Sequence, residues 1–85
     1  MSASNTFVTK GYNQPVWGKI LEKNVFRKAI LIANNGTAAV NFGFGAESLK
    51  ADSVLLRPGH IVKFDSAIPI DELWGEGYLV IGEVS

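Results

Sequence analysis

Eighty-five residues are too few for two domains and lie near the lower limit for one hydrophobic core, so a single domain over residues 1–85 is expected. The absence of cysteine excludes disulfides and thiolate metal sites, and leaves self-association as the remaining way to bury more surface. Eight basic and eight acidic residues cancel and are scattered without a polybasic block, which speaks against nucleic acid as the main partner.

Hydrophobic residues make up 47% of the chain and charged ones 19%. That apolar content exceeds what so small a core hides, so partners are expected to cover part of it. No run approaches the ~18 apolar residues of a membrane span. The opening Met1-Ser-Ala-Ser-Asn-Thr lacks the basic and then apolar regions of a signal peptide, so synthesis in the cytoplasm is expected.

In chain order, residues 1–15 are dominated by Ser, Asn, Thr, Gly and Gln, with Phe7, Val8 and Tyr12 as isolated apolar anchors. They read as an extended arm with a short strand near Phe7, ordered when laid on another subunit; the alternative is a frayed edge strand. Glycine and proline then punctuate the chain so closely that few intervals suit a helix. The stretches between them are rich in Val, Ile, Leu and Phe, which predicts an all-β fold: a small antiparallel β-sandwich, jelly-roll-like or barrel-like, of about 6–8 short strands.

Arg27 to Ala33, then Asn34-Asn35-Gly36-Thr37, then Ala38 to Phe44 reads as two antiparallel strands joined by a tight turn, because Asn and Gly tolerate positive φ. In the second strand Ala38, Val40, Phe42 and Phe44 share one face, the expected core face. Ala29 to Ala33 is apolar on both faces, as expected of a central strand covered on one side by the opposing sheet and on the other by a neighbouring subunit or a loop. A second hairpin is predicted from Val54-Leu55-Leu56-Arg57 through Pro58-Gly59 to His60-Ile61-Val62-Lys63-Phe64, with a type II turn and with Val62 and Phe64 inward. The last strand, Tyr78 to Val84, has the apolar density of a central strand.

Catalytic chemistry finds little to stand on, and no enzyme activity, metal or cofactor is expected. His60, the single histidine, follows a turn and reads as solvated. Asp71, Glu72 and Glu76 are the acids of one short connection around Trp74, a solvated loop before a cation site or a glycosidase pair. Gly43-Phe44-Gly45 is not followed by the Lys-Ser/Thr pair of a phosphate-binding loop, and a strand exit or bulge explains it. Trp17, Trp74 and Tyr78 suit a core or a protein interface, with a sugar-stacking platform as the alternative.

The order of these pieces carries a resemblance. Arg27-Lys28-Ala29-Ile30-Leu31-Ile32-Ala33-Asn34-Asn35-Gly36-Thr37, Val40-Asn41-Phe42-Gly43-Phe44-Gly45, Leu56-Arg57-Pro58-Gly59, Phe64-Asp65-Ser66-Ala67-Ile68-Pro69 and Leu73-Trp74-Gly75 together resemble small bacteriophage virion proteins of β-sandwich type, over about residues 27 to 84. The resemblance implies a capsid decoration (cement) protein or a head-fibre domain. A chain without the long repetitive part of a fibre fits decoration better. It implies a homotrimer on the capsid surface with the major capsid protein as partner; the short apolar runs and scattered charges give no expectation of a membrane or nucleic-acid ligand. Phe7, Tyr12 and Trp17 are the expected shell or neighbour contacts, and Ala29 and Leu31 the expected subunit contacts. The rival reading is a carbohydrate-binding or receptor-binding module of a fibre or tail.

Overall fold

The computed structural model describes residues 8–85. They form one curled antiparallel sheet of six strands: β1 (Val8–Leu21), β2 (Ala29–Ala33), β3 (Val40–Phe44), β4 (Val54–Leu56), β5 (Ile61–Phe64) and β6 (Leu73–Val84). The remaining regular element among the described residues is a 3-10 turn at Lys50–Asp52.

β6 is the spine. β1 runs antiparallel along it from Val8 opposite Glu83 to Leu21 opposite Leu73. Opposite β1, the first half of β6 (Leu73–Glu76) pairs with β3, and the second half (Val80–Val84) pairs with β2. β4 extends the first half through β3, and β5 extends the second through β2. The halves meet at a bend: Gly77 has φ +110, a backbone conformation that glycine adopts without strain, and β1 carries extra residues across the same point, between Gln14 and Gly18.

The curl brings the inner faces of both halves onto one core. Ile30, Ile32, Leu79 and Ile81 from the second half meet Val40, Phe42, Leu56 and Leu73 from the first. Phe44 and Phe64 close the gap between β3 and β5, with ring centroids 5.7 Å apart and ring planes at 89°, the edge-to-face arrangement that aromatic quadrupoles favour.

The expectation of two hairpins is corrected. β2 and β3 do not pair with each other, and neither do β4 and β5. The turn chemistry itself is as expected: Gly59 has φ +82 and the His60 N–H donates to the Arg57 carbonyl at 3.1 Å, as in a type II turn. The strands leaving that turn diverge, β4 to β3 and β5 to β2. The Asn34 turn likewise joins the two halves, and here a side chain replaces ladder bonds. Asn34, fully buried, donates from its amide to Ala38 and Leu56 carbonyls at 2.8 and 2.9 Å and accepts from the Gly36 N–H at 2.9 Å. Its backbone exchanges bonds with Gly59 and His60.

The N-terminal expectation also changes. Residues 8–15 lie in the 14-residue β1, paired to β6, where an arm with a short strand near Phe7 was expected. The reason is register: Tyr12 faces Leu79 and packs against the core, which ties this polar stretch to the spine.

Candidate functional site

The strand alternation that sends Ile30, Ile32, Leu79 and Ile81 inward turns the intervening residues out. In the second half the outer face therefore carries the pairs Ala29–Val84, Leu31–Gly82 and Ala33–Val80. Beside them β1 adds Thr9 opposite Gly82 and Gly11 opposite Val80, and β5 adds Ile61 and Lys63. The centre of this face is apolar: three small residues, Ala29, Ala33 and Gly82, sit between the half-buried Leu31, Val80 and Val84. The Tyr78 side chain lies against Gly11, where a Cβ would meet its hydroxyl.

In the first half the outer face carries Trp17, Lys19, Trp74 and Glu76. The Trp17 ring reaches Gly43 on β3, where an added Cβ would lie 3.8 Å from it. Its indole N–H donates to the Ser48 carbonyl at 2.8 Å. The Trp74 indole N–H donates to Glu72 Oε1 at 2.9 Å, and that oxygen also accepts from the Glu47 N–H at 3.2 Å. These two bonds, the indole's first, hold the Glu72 carboxyl below its ordinary range. Lys19 is held above its ordinary value, chiefly by Glu22 at 3.0 Å and further by Glu72 at 3.7 Å. Lys50 pairs with Glu76 at the rim. Both indoles are half-buried and their polar atoms are already satisfied within the chain.

The expected contact residues separate. Phe7 lies outside the described residues. Tyr12 lies on the core side of β1, partly buried against the core cluster. Trp17 lies on the outer face of the first half and Leu31 on that of the second. Ala29 shares the Leu31 face but is itself only 6% exposed, whereas Leu31 is half-buried. The carboxylates of residues 71–76 are each engaged: Asp71 Oδ1 accepts from the Glu72 N–H at 2.8 Å, Glu72 serves Trp74 and Lys19, and Glu76 serves Lys50. His60 is exposed in its turn. Among the described residues no group of His, Cys, Asp or Glu is arranged to hold a metal ion.

Sequence reasoning missed Arg27. Its side chain has 0% exposure; it pairs with Glu83 and donates to the carbonyls of Pro69 at 2.7 Å, Asp71 at 3.1 Å and Glu22 at 3.4 Å. It thus ties the start of β2 to the end of β6 and to the connection before it. An arginine immediately before an apolar strand was visible; its partners Pro69, Asp71 and Glu83, 42 to 56 residues away, were not.

Comparison of the chain with protein-family models, with curated proteins and with solved structures gives no match.

Proposed function

We propose that this protein is a structural, non-catalytic virion protein that binds the outside of a phage capsid, contacts the major capsid protein and stabilises the shell, acting as a homotrimer. On this reading it is made in the host cytoplasm and ends on the capsid surface. The curled sheet is then a small sandwich, a description supported by inner faces of both halves meeting on one core.

The observation that carries the reading is the outer face of β2 and β6. A central strand with Leu31 between Ala29 and Ala33, beside Val80, Gly82 and Val84, offers an apolar surface of the kind that a protein partner covers. The resemblance to phage virion proteins adds the identity of that partner. Decoration then works by mass action: a ligand that binds only the assembled shell raises the free energy needed to take it apart. Trimers add avidity, because three linked contacts hold more tightly than one.

The test is the heat stability of capsid shells prepared without the protein and then saturated with it. The proposal expects a higher shell melting temperature that depends on the amount of protein added. Shells that neither bind the protein nor gain stability contradict it.

A second reading rests on Trp17 and Trp74 sharing the other outer face, with Lys19, Glu72 and Glu76 around them: a sugar-stacking module of a fibre or tail. Polysaccharide should then change the tryptophan fluorescence, and silence across a glycan panel removes this reading.

A further inference from the structure

The turn between β1 and β2 carries two large apolar residues where tight turns ordinarily carry Gly, Asn, Asp or Ser. The Asn24 carbonyl accepts from the Arg27 N–H at 3.1 Å and its side-chain oxygen accepts from the Phe26 N–H at 3.0 Å. Val25 and Phe26 therefore occupy the central positions, and they stand 56% and 78% exposed. The turn is braced on every side. The Asn24 N–H donates to the Ile70 carbonyl at 2.8 Å, the Lys28 N–H donates to the Val84 carbonyl at 2.6 Å, the Asn24 amide reaches Glu83 and Ser85, and Arg27 is buried in its ring of carbonyls. An aromatic ring on so fixed a support loses little freedom when it docks, which is the property of an interface anchor.

Beyond the far end of β2 lies an open hollow of about 360 Å³ formed by Thr37, Ala38, Ala39, Val40, Gly77 and the exposed Tyr78. An apolar cavity of about 150 Å³ already accepts a benzene ring, so this hollow has room for Phe26 with Val25 at its edge. The two features lie off opposite ends of β2, which alone separates them by about 13 Å at the usual strand rise. One chain cannot fill its own hollow.

We propose that Phe26 of one molecule docks in the Ala38–Tyr78 hollow of a second copy, a head-to-tail contact. The knob covers on the order of 300 Å², well below the ~800 Å² per partner of a stable pair, so one such contact makes no lasting dimer. Closure supplies the rest: in a ring each subunit gives its knob to one neighbour and its hollow to the other, and avidity holds the set. The same knob and hollow can also be exchanged reciprocally about a two-fold axis; the head-to-tail ring, whose smallest form is a trimer, is the closure that agrees with the proposed homotrimer, and a mass that stops at a dimer overturns the ring. The contact rests on the homo-oligomer part of the proposed function and is independent of the capsid part.

Light scattering after size exclusion on the full chain, from micromolar to millimolar concentration, reads the assembly. The wild type is expected to rise towards three times its 9.2 kDa. Phe26→Ala, a change at an exposed tip, should stay monomeric with an unchanged melting temperature. The absence of native cysteine permits a second readout: under mild oxidant, Phe26→Cys mixed with Ala38→Cys should give a covalent dimer in excess of either variant alone, and the double variant should stop at a covalent trimer. A wild type that stays monomeric throughout overturns the contact and the homo-oligomer in solution together. An assembled wild type whose mass survives Phe26→Ala, with no preferential cross-link, overturns the contact and leaves the homo-oligomer standing.

Discussion

The two halves of the curled sheet share one core and one spine, yet they face solvent differently. The half built on β3 and β4 satisfies the polar groups of its outer side within the chain, with Leu55 left exposed there: Trp17 is bonded to the Ser48 carbonyl, Trp74 to Glu72, and Lys19 and Lys50 are paired with carboxylates. The half built on β2 and β5 leaves Leu31, Val80 and Val84 over alanines and glycine, with Lys63 as the charged residue beside Leu31. A sheet face whose polar atoms are already satisfied by its own chain is finished in the monomer. A half-buried apolar face gains by being covered, and the proposed partner contact rests on that difference.

The largest effect should come from the joint that anchors the second half. Arg27→Ala removes a fully buried guanidinium and leaves the Glu83 carboxylate and the Pro69 and Asp71 carbonyls without it, at a cost of about 3 kcal/mol. Urea unfolding measures this, and a loss below 1 kcal/mol would mean that the halves hold together without it. Next is the bend itself. A Cβ at Gly77 would lie 2.5 Å from Val40 Cγ1 at a φ of +110, so Gly77→Ala should cost about 2 kcal/mol in the same measurement. Asn34→Ala leaves the Ala38 and Leu56 carbonyls unpaired between the two halves and should cost a similar or slightly smaller amount, about 2 kcal/mol.

The smallest effect concerns the finished face. Glu72 has its folded-state value lowered by Trp74 and Glu47, so its contribution is present above the ordinary carboxylate value and is lost as pH falls through the lowered one. Glu72→Gln should flatten that acid limb by lowering stability at and above neutrality while leaving the acid end little altered, and should change tryptophan emission through the Trp74 bond. An acid limb identical to wild type would show that the Trp74–Glu72 pair does not stabilise this face.

Local chemistry was legible and pairing was not. The positive φ at Gly59, the inward Val62 and Phe64, and the central places of Ala29–Ala33 and Tyr78–Val84 all follow from residues adjacent in sequence, and the structure has them. The hairpins failed because β6, from the far end of the chain, lies between β2 and β3; strand pairing is a non-local choice that turn residues do not determine. Asn34 shows the same limit: it was read as a turn former, whereas its bond to the Leu56 carbonyl spans 22 residues. On the candidate surface, Leu31 was legible because its strand is apolar on both faces. The core-side place of Tyr12 was not legible, because a polar stretch with one aromatic shows no face until its register with β6 is known. Phe26 carried a faint signal, a large apolar residue between Val25 and Arg27 in a segment otherwise rich in Lys and Asn.

The most direct test of the partner surface is co-sedimentation of purified protein with capsid shells that lack it, comparing wild type with Leu31→Lys and with Trp17→Ala. Leu31 is only half-buried and faces outward, so Leu31→Lys should keep the wild-type fold and melting temperature to within about 0.5 kcal/mol. The account predicts that Leu31→Lys stays in the supernatant while Trp17→Ala, if folded, sediments with the shell. A folded Leu31→Lys that binds as tightly as wild type, with binding lost instead in Trp17→Ala, would contradict it and move the contact to the tryptophan face.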